Sequence, residues 1–140
     1  MYAWIVRRII RRAVRRLQGG DIGPSLSLYA DDARFIFPGR HSWAGDFRGH
    51  GEMEKWLQRF VRTGLRFEPH EILVNGPPWN TKVCLRFTDH LKGDDGASVY
   101  TNRGVIFGKV VWGKIVYEEV FEDTQKVAEL DDYLAGSPRV

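Results

Sequence analysis

The stretch KVCLRFTDHL (Lys82–Leu91), KGDDG (Lys92–Gly96), ASVYTNRGVIFGKVV (Ala97–Val111), WG (Trp112–Gly113), KIVYEEVFE (Lys114–Glu122) decides the fold. Its apolar residues recur with period two, the spacing of a strand with one buried face. Lys92–Gly96 carries the Gly and Asp residues of a hairpin turn, and Trp112-Gly113 is a second tight turn. Three strands therefore run as an antiparallel meander. Upstream, Phe67–Asn75 is a fourth strand, joined to the others by the stiff turn Gly76-Pro77-Pro78-Trp79-Asn80-Thr81, which leaves room for a cis X-Pro bond.

Before Phe67 the period is helical. Ala3–Leu17 places Ile5, Val6, Ile9, Ile10, Ala13, Val14 and Leu17 on one half of the wheel at about 100° per residue. Arg7, Arg8, Arg11, Arg12, Arg15 and Arg16 fill the other half, and Gly19-Gly20 ends the segment. Ile22, Leu26 and Tyr29 give a short second helix within Asp21–Ala30. Ala33–Phe37 is a short strand stopped by Pro38-Gly39, and Arg40–Gly51 is a polar loop. Met53, Trp56, Leu57, Phe60 and Val61 mark a third helix ended by Gly64. Val127, Leu130, Tyr133 and Leu134 mark a last helix, stopped by Gly136 and Pro138. Helices first and a strand meander after them predict one α+β domain over residues 1–140. In it a curved antiparallel sheet is wrapped by helices into a cone with an internal pocket.

Composition narrows the function. The 140 residues carry a formal charge of +3, but the six helix arginines account for it: without them 15 basic residues face 18 acidic ones. The basicity belongs to one helix, whose arginine face reads as a solvated outer surface or as a contact for an anionic surface. It contains no serine, unlike organelle-targeting peptides, and no long apolar run follows it, unlike a twin-arginine export signal. No run of apolar residues is long enough to span a membrane. The single Cys84 rules out an intrachain disulfide and fits a reducing, cytoplasmic setting. Neither metal-ligand spacing nor a phosphate-binding loop is present, so no cofactor is implied.

Gly20-Asp21, Leu28-Tyr29-Ala30-Asp31-Asp32-Ala33, Phe37-Pro38-Gly39, Ala44-Gly45-Asp46-Phe47-Arg48-Gly49-His50, Gly113-Lys114-Ile115 and Phe121-Glu122-Asp123-Thr124 together resemble SnoaL-like domains of the nuclear transport factor 2-like superfamily, the fold of ketosteroid isomerases. The resemblance implies an α+β cone and a homodimer through the sheet. It implies no single reaction; the partner expected for the apolar pocket is a small hydrophobic ligand, not nucleic acid. Steroid isomerases place their base where this chain has Phe37, their tyrosine in the region of Val6 to Ala13, and their second acid at Gly104 or Val105, so their chemistry is not expected here. Limonene-epoxide-hydrolase-like proteins imply acids at Asp123 and Asp89 with a bridging arginine, but that position is Phe87. SnoaL-like cyclases imply a general base at Asp123.

Asp123 is thus the first catalytic candidate, with Glu119 on the same strand face and Arg103 on the neighbouring strand to tune it. Asp123 also stands where an aspartate caps a helix. Reading Tyr117, Glu119, Phe121 and Asp123 as the concave face adds Tyr117 and Phe121 to the pocket, with Phe37, His41, Trp43 and Asp89. The expectation is a protein that binds a small hydrophobic molecule, or acts on it by general-base chemistry. The alternative is a non-catalytic dimerising module.

Overall fold

The structure, a computed structural model, describes residues 1–137; Pro138, read above as a helix stop, lies outside them. The elements are α1 (Tyr2–Gln18), α2 (Gly23–Ser27), β1 (Tyr29–Phe37), β2 (Gly45–Arg48), α3 (Gly49–Thr63), β3 (Arg66–Asn75), β4 (Thr81–Lys92), β5 (Ser98–Val111), β6 (Lys114–Glu122) and α4 (Thr124–Ala135). The strands form one sheet in the order β2-β1-β6-β5-β4-β3. The meander from β3 to β6 is antiparallel, as its period and turns require. β1 joins β6 in parallel, with β2, α3 and β3 to β5 between them in the chain as the long connection that parallel neighbours need.

Two departures from the sequence reading have local causes. β1 starts at Tyr29 rather than Ala33, because a bulge between Tyr29 and Arg34 turns Asp31 and Asp32 outward and hides the alternation. Within the presumed loop, β2 pairs with β1, held by Phe47 beside Phe35 and by Asp46 accepting two bonds from the Arg34 guanidinium at 2.8 and 3.0 Å. A four-residue strand is too short to show a period. Among the described residues all peptide bonds are trans, those of Gly76-Pro77-Pro78 included.

The helices close one face of the sheet. α3 packs Met53, Leu57 and Phe60 inward and ends at Gly64, whose φ of 84° needs a glycine. α4 covers β5 with Val127, Leu130 and Leu134. α1 lies along the sheet and is pinned by three bonds: Tyr2 to the Thr81 hydroxyl (2.6 Å), Arg11 to the His70 carbonyl (3.2 Å) and Gln18 to the Phe67 carbonyl (2.8 Å). Its first turn therefore sits at the Thr81 end of β4 and its last near Asp89, which pairs with Phe67. Among the described residues, no helix is long and apolar enough to cross a membrane.

Candidate active site

Between the helices and the concave sheet face lies a cavity of about 280 Å³. β4 lines it with Val83, Leu85, Phe87 and Asp89; β5 with Tyr100, Ile106 and Val110; β6 with Ile115, Glu118, Val120 and Glu122. Trp43, Trp56, Phe60 and Phe67 supply aromatic wall. Among the described residues, the lining includes three carboxyls and no Lys, Arg or His.

Two of those carboxyls meet. Asp89 is 7% exposed on β4 and Glu122 ends β6, and their side chains are within hydrogen-bonding reach of each other. Asp89 Oδ1 and Glu122 Oε2 are buried with no other partner among the described residues. One shared proton satisfies both oxygens; two bare carboxylates would repel each other in an apolar wall. Burial pushes Asp89 up to about 6. Burial first, and then the charge of Asp89, push Glu122 up to about 9. Near neutrality the pair therefore holds one proton, on the Glu122 side.

The pair has a built surround. The Tyr100 hydroxyl reaches Asp89 Oδ2 at 3.5 Å, and the buried Asn102 amide donates to the Tyr100 oxygen (3.1 Å) and to the Asp123 carbonyl (2.9 Å), fixing the tyrosine beside β6. Gly104 lies across from Glu122 in the sheet. A Cβ there would come within 2.4 Å of the Phe121 carbonyl, 2.7 Å of Glu122 Cβ and 3.0 Å of the Phe87 ring. Glycine leaves the room in which Glu122 turns toward Asp89.

A third acid stands apart. Glu118 accepts a 2.6 Å hydrogen bond from the Tyr29 hydroxyl, and burial pushes it up to about 7 while that bond pulls the other way. The Tyr29 phenol is driven up in turn, by burial and then by the Glu118 charge.

Of the residues anticipated from sequence, Phe37, Trp43 and Asp89 line the cavity. The β6 assignments require correction. Tyr117, Glu119, Phe121 and Asp123 do not line the cavity; Glu118, Val120 and Glu122 do. The cause is a register shift where Tyr117 and Ile115 face Lys109 and Val110. Ile115 points inward, but the bulge inserts one residue and every later side chain changes face. Tyr117 donates to Glu119 at 2.9 Å on the outer face, and Phe121 is exposed. Asp123 is exposed and caps α4, its Oδ1 accepting from the amides of Gln125 (3.1 Å) and Lys126 (3.3 Å). Arg103 is exposed, away from these acids' inner face. His41 stays outside the lining, edge-on to Phe37 at 4.7 Å, with Nε2 on the Pro38 carbonyl (3.0 Å).

The sequence reading missed Glu122, Glu118, Tyr29, Tyr100 and Asn102. One signal existed for Tyr100 and Asn102: both share a strand face with Gly104 on β5, so a polar, glycine-bearing row was legible there. No cluster of His, Cys, Asp and Glu among the described residues is arranged to hold a metal ion.

Comparison with known proteins bears on this arrangement. A family model described as the SnoaL-like domain matches residues 10–118. Among curated proteins, none matches. Solved structures share the fold at low identity. An NTF2-like protein of unknown function from Burkholderia pseudomallei is 19% identical with a TM-score of 0.74, covering 90% of this chain and 96% of its own. TerC, co-crystallized with polyporic acid, is 21% identical with a TM-score of 0.74, covering 91% and 98%. Bal32a, from a soil-derived mobile gene cassette, is 18% identical with a TM-score of 0.73, covering 94% and 99%.

Proposed function

The chain belongs to the SnoaL-like domain family, and from that premise we propose that it moves protons on a small, neutral, lipophilic carbonyl compound held against the Asp89–Glu122 pair. The observation that carries this reading is the pair itself: two buried carboxyls that meet in an apolar cavity, with no cationic side chain in its lining among the described residues. The ionised member takes a proton from the carbon beside a carbonyl. The protonated member gives its proton to the carbonyl oxygen, so an enol forms with no net change of charge. Return of a proton to the same carbon completes an exchange, and to a conjugated carbon an isomerisation. Each such role typically contributes 10²–10⁴-fold.

The lining also limits the ligand. Three acids and no cation disfavour an anion, so an acidic molecule such as the polyporic acid found with TerC would enter here only in its neutral form. The volume, at the lower edge of the usual range, suits a compound of one or two rings.

The test is deuterium incorporation from heavy water into lipophilic cyclic ketones such as 2-tetralone, followed by mass spectrometry. The reading predicts exchange above the buffer rate that Asp89→Asn and Glu122→Gln each remove. Exchange at the buffer rate across the ketone panel, or unchanged in both variants, would overturn it.

We also propose the outer sheet face as a homodimer seam. There Leu73 and Phe121 are exposed, beside half-buried Phe107 and Tyr117. Light scattering that reads a monomer at 100 μM would exclude it.

A further inference from the structure

Three segments far apart in sequence meet at one end of the molecule. Tyr2 binds Thr81, the Thr81 hydroxyl donates to the Pro77 carbonyl (2.8 Å), and the Trp112 amide donates to the Pro78 carbonyl (2.8 Å). The start of α1, the β3–β4 turn and the β5–β6 turn are thereby tied together.

This end is apolar where it should be wet. Trp4, Ile5 and Ile9 on α1, Trp79 on the β3–β4 turn and Trp112 on the β5–β6 turn are all between 42% and 69% exposed. Trp79 and Trp112 lie side by side, ring centres 5.8 Å apart. Trp112 holds a φ of 49°, a costly conformation for a bulky residue that keeps its ring on the turn. Such a patch, with three exposed tryptophans, is unusual for a surface facing only water.

The three tied segments are also one-signed in charge. The segments 1–17, 76–84 and 106–116 contain no Asp or Glu, while they carry six arginines and Lys82, Lys109 and Lys114. Among the described residues, none of the six arginines has a carboxylate within ion-pairing distance. At about 100° per residue, Arg8, Arg12, Arg15 and Arg16 interleave with Trp4, Ile5 and Ile9 on the exposed face of α1, and Arg8 sits 5.3 Å over the Trp4 ring. Aromatic rings with long basic side chains are the equipment of a helix lying at a lipid–water boundary, where rings sit at headgroup depth and guanidiniums reach up to phosphates.

The cavity opens at the same place. Of its lining residues, Ile5, Ile9 and Gly113 are the exposed ones. They mark a mouth between α1 and the β5–β6 turn, at the opposite end of the strands from Asp89 and Glu122.

We propose that this end docks on an anionic lipid bilayer, with the cavity mouth facing the membrane, so that lipophilic ligands enter from the lipid phase. Docking does not rest on the acid pair: the Asp89→Asn, Glu122→Gln double variant binds vesicles as the parent does, whether or not the proton-transfer reading survives.

The experiment is co-sedimentation at 50 mM salt with phosphatidylcholine vesicles containing 30% phosphatidylserine, against pure phosphatidylcholine. Tryptophan quenching by brominated phosphatidylserine, which needs no variant, accompanies it. Expected are binding to the anionic vesicles alone, quenching of the exposed tryptophans, and release as salt rises. Each Arg→Gln among Arg8, Arg12, Arg15 and Arg16 weakens partition roughly fivefold. The triple variant Trp4→Ala, Trp79→Ala, Trp112→Ala, checked for a parent-like melting profile, loses vesicle binding at least tenfold. Absence of binding at 50 mM salt, binding without quenching, or vesicle binding unchanged in the triple variant would overturn the proposal. So would a duplex DNA that displaces the protein from vesicles at equal phosphate concentration, which would assign the face to nucleic acid.

Discussion

Glu122 and Glu118 sit four residues apart on one strand, face one cavity and are both pushed well above the ordinary carboxyl range by burial. They differ in their company. Glu118 has a phenol that donates to it at 2.6 Å; Glu122 has another acid, and each keeps an oxygen with no other partner among the described residues. The first arrangement is a satisfied buried group, and its cost is contained by one hydrogen bond. The second cannot be satisfied without a proton held between two acids. A raised pKa alone thus marks burial, whereas two acids that meet in a cavity are the arrangement on which the proposed proton transfer rests.

The largest effect that would sharpen this contrast is kinetic. Asp89→Asn and Glu122→Gln should each lower ketone exchange by about 10²–10⁴-fold, and Glu118→Gln by less than tenfold, by the same deuterium assay. Equal losses at all three positions would dissolve the distinction.

Next is the dependence of stability on pH. All three acids hold their proton more tightly folded than unfolded, so the folded chain binds more protons between the ordinary carboxyl range and about 9. Stability therefore falls as pH rises through that window, the reverse of a salt-bridged acid. Denaturant titrations should show a loss of a few kcal/mol from pH 5 to pH 9. Glu122→Gln should flatten the curve at its alkaline end, up to about pH 9. Glu118→Gln should flatten it only up to about pH 7.

Gly104→Ala is a smaller, steric probe. Its methyl would collide with Phe121, Glu122 and Phe87, costing about 1–3 kcal/mol of stability and moving Glu122 off Asp89. Thermal melting reads the first effect and the exchange assay the second. The smallest effect belongs to the acid next door. Asp123→Ala removes the α4 cap at a cost of about 1 kcal/mol and should leave ketone exchange within twofold of the parent.

That last pair of neighbours shows what was legible in the sequence. The meander, the helices and the family signature were readable because period and turn chemistry are local. Asp89 and Phe37 were placed at the cavity by the positions the family resemblance implies, and Trp43 by its loop after the first strand; the structure puts all three in the lining. Asp123 was favoured because the family resemblance implies a base there; KIVYEEVFED offers an acid on either face, and the bulge that turns Glu122 rather than Asp123 inward is a property of pairing with β5. The Glu118–Tyr29 pair was equally hidden, since parallel pairing of β1 with β6 brings together residues 89 positions apart. The apolar face of α1 was visible, but the sheet buries only part of it, and Ile5 and Ile9 remain in the open.

The central claim is that Asp89 and Glu122 share one proton at neutral pH. Carbon-13 NMR of protein labelled at the side-chain carboxyl carbons, titrated from pH 3 to pH 11 and assigned with Asp89→Asn and Glu122→Gln, tests it directly. The account predicts that one carboxyl of the pair stays protonated at pH 7 and titrates near 9, and that replacing its partner lowers that value. Two carboxyls that both ionise below pH 5, each indifferent to loss of the other, would contradict it.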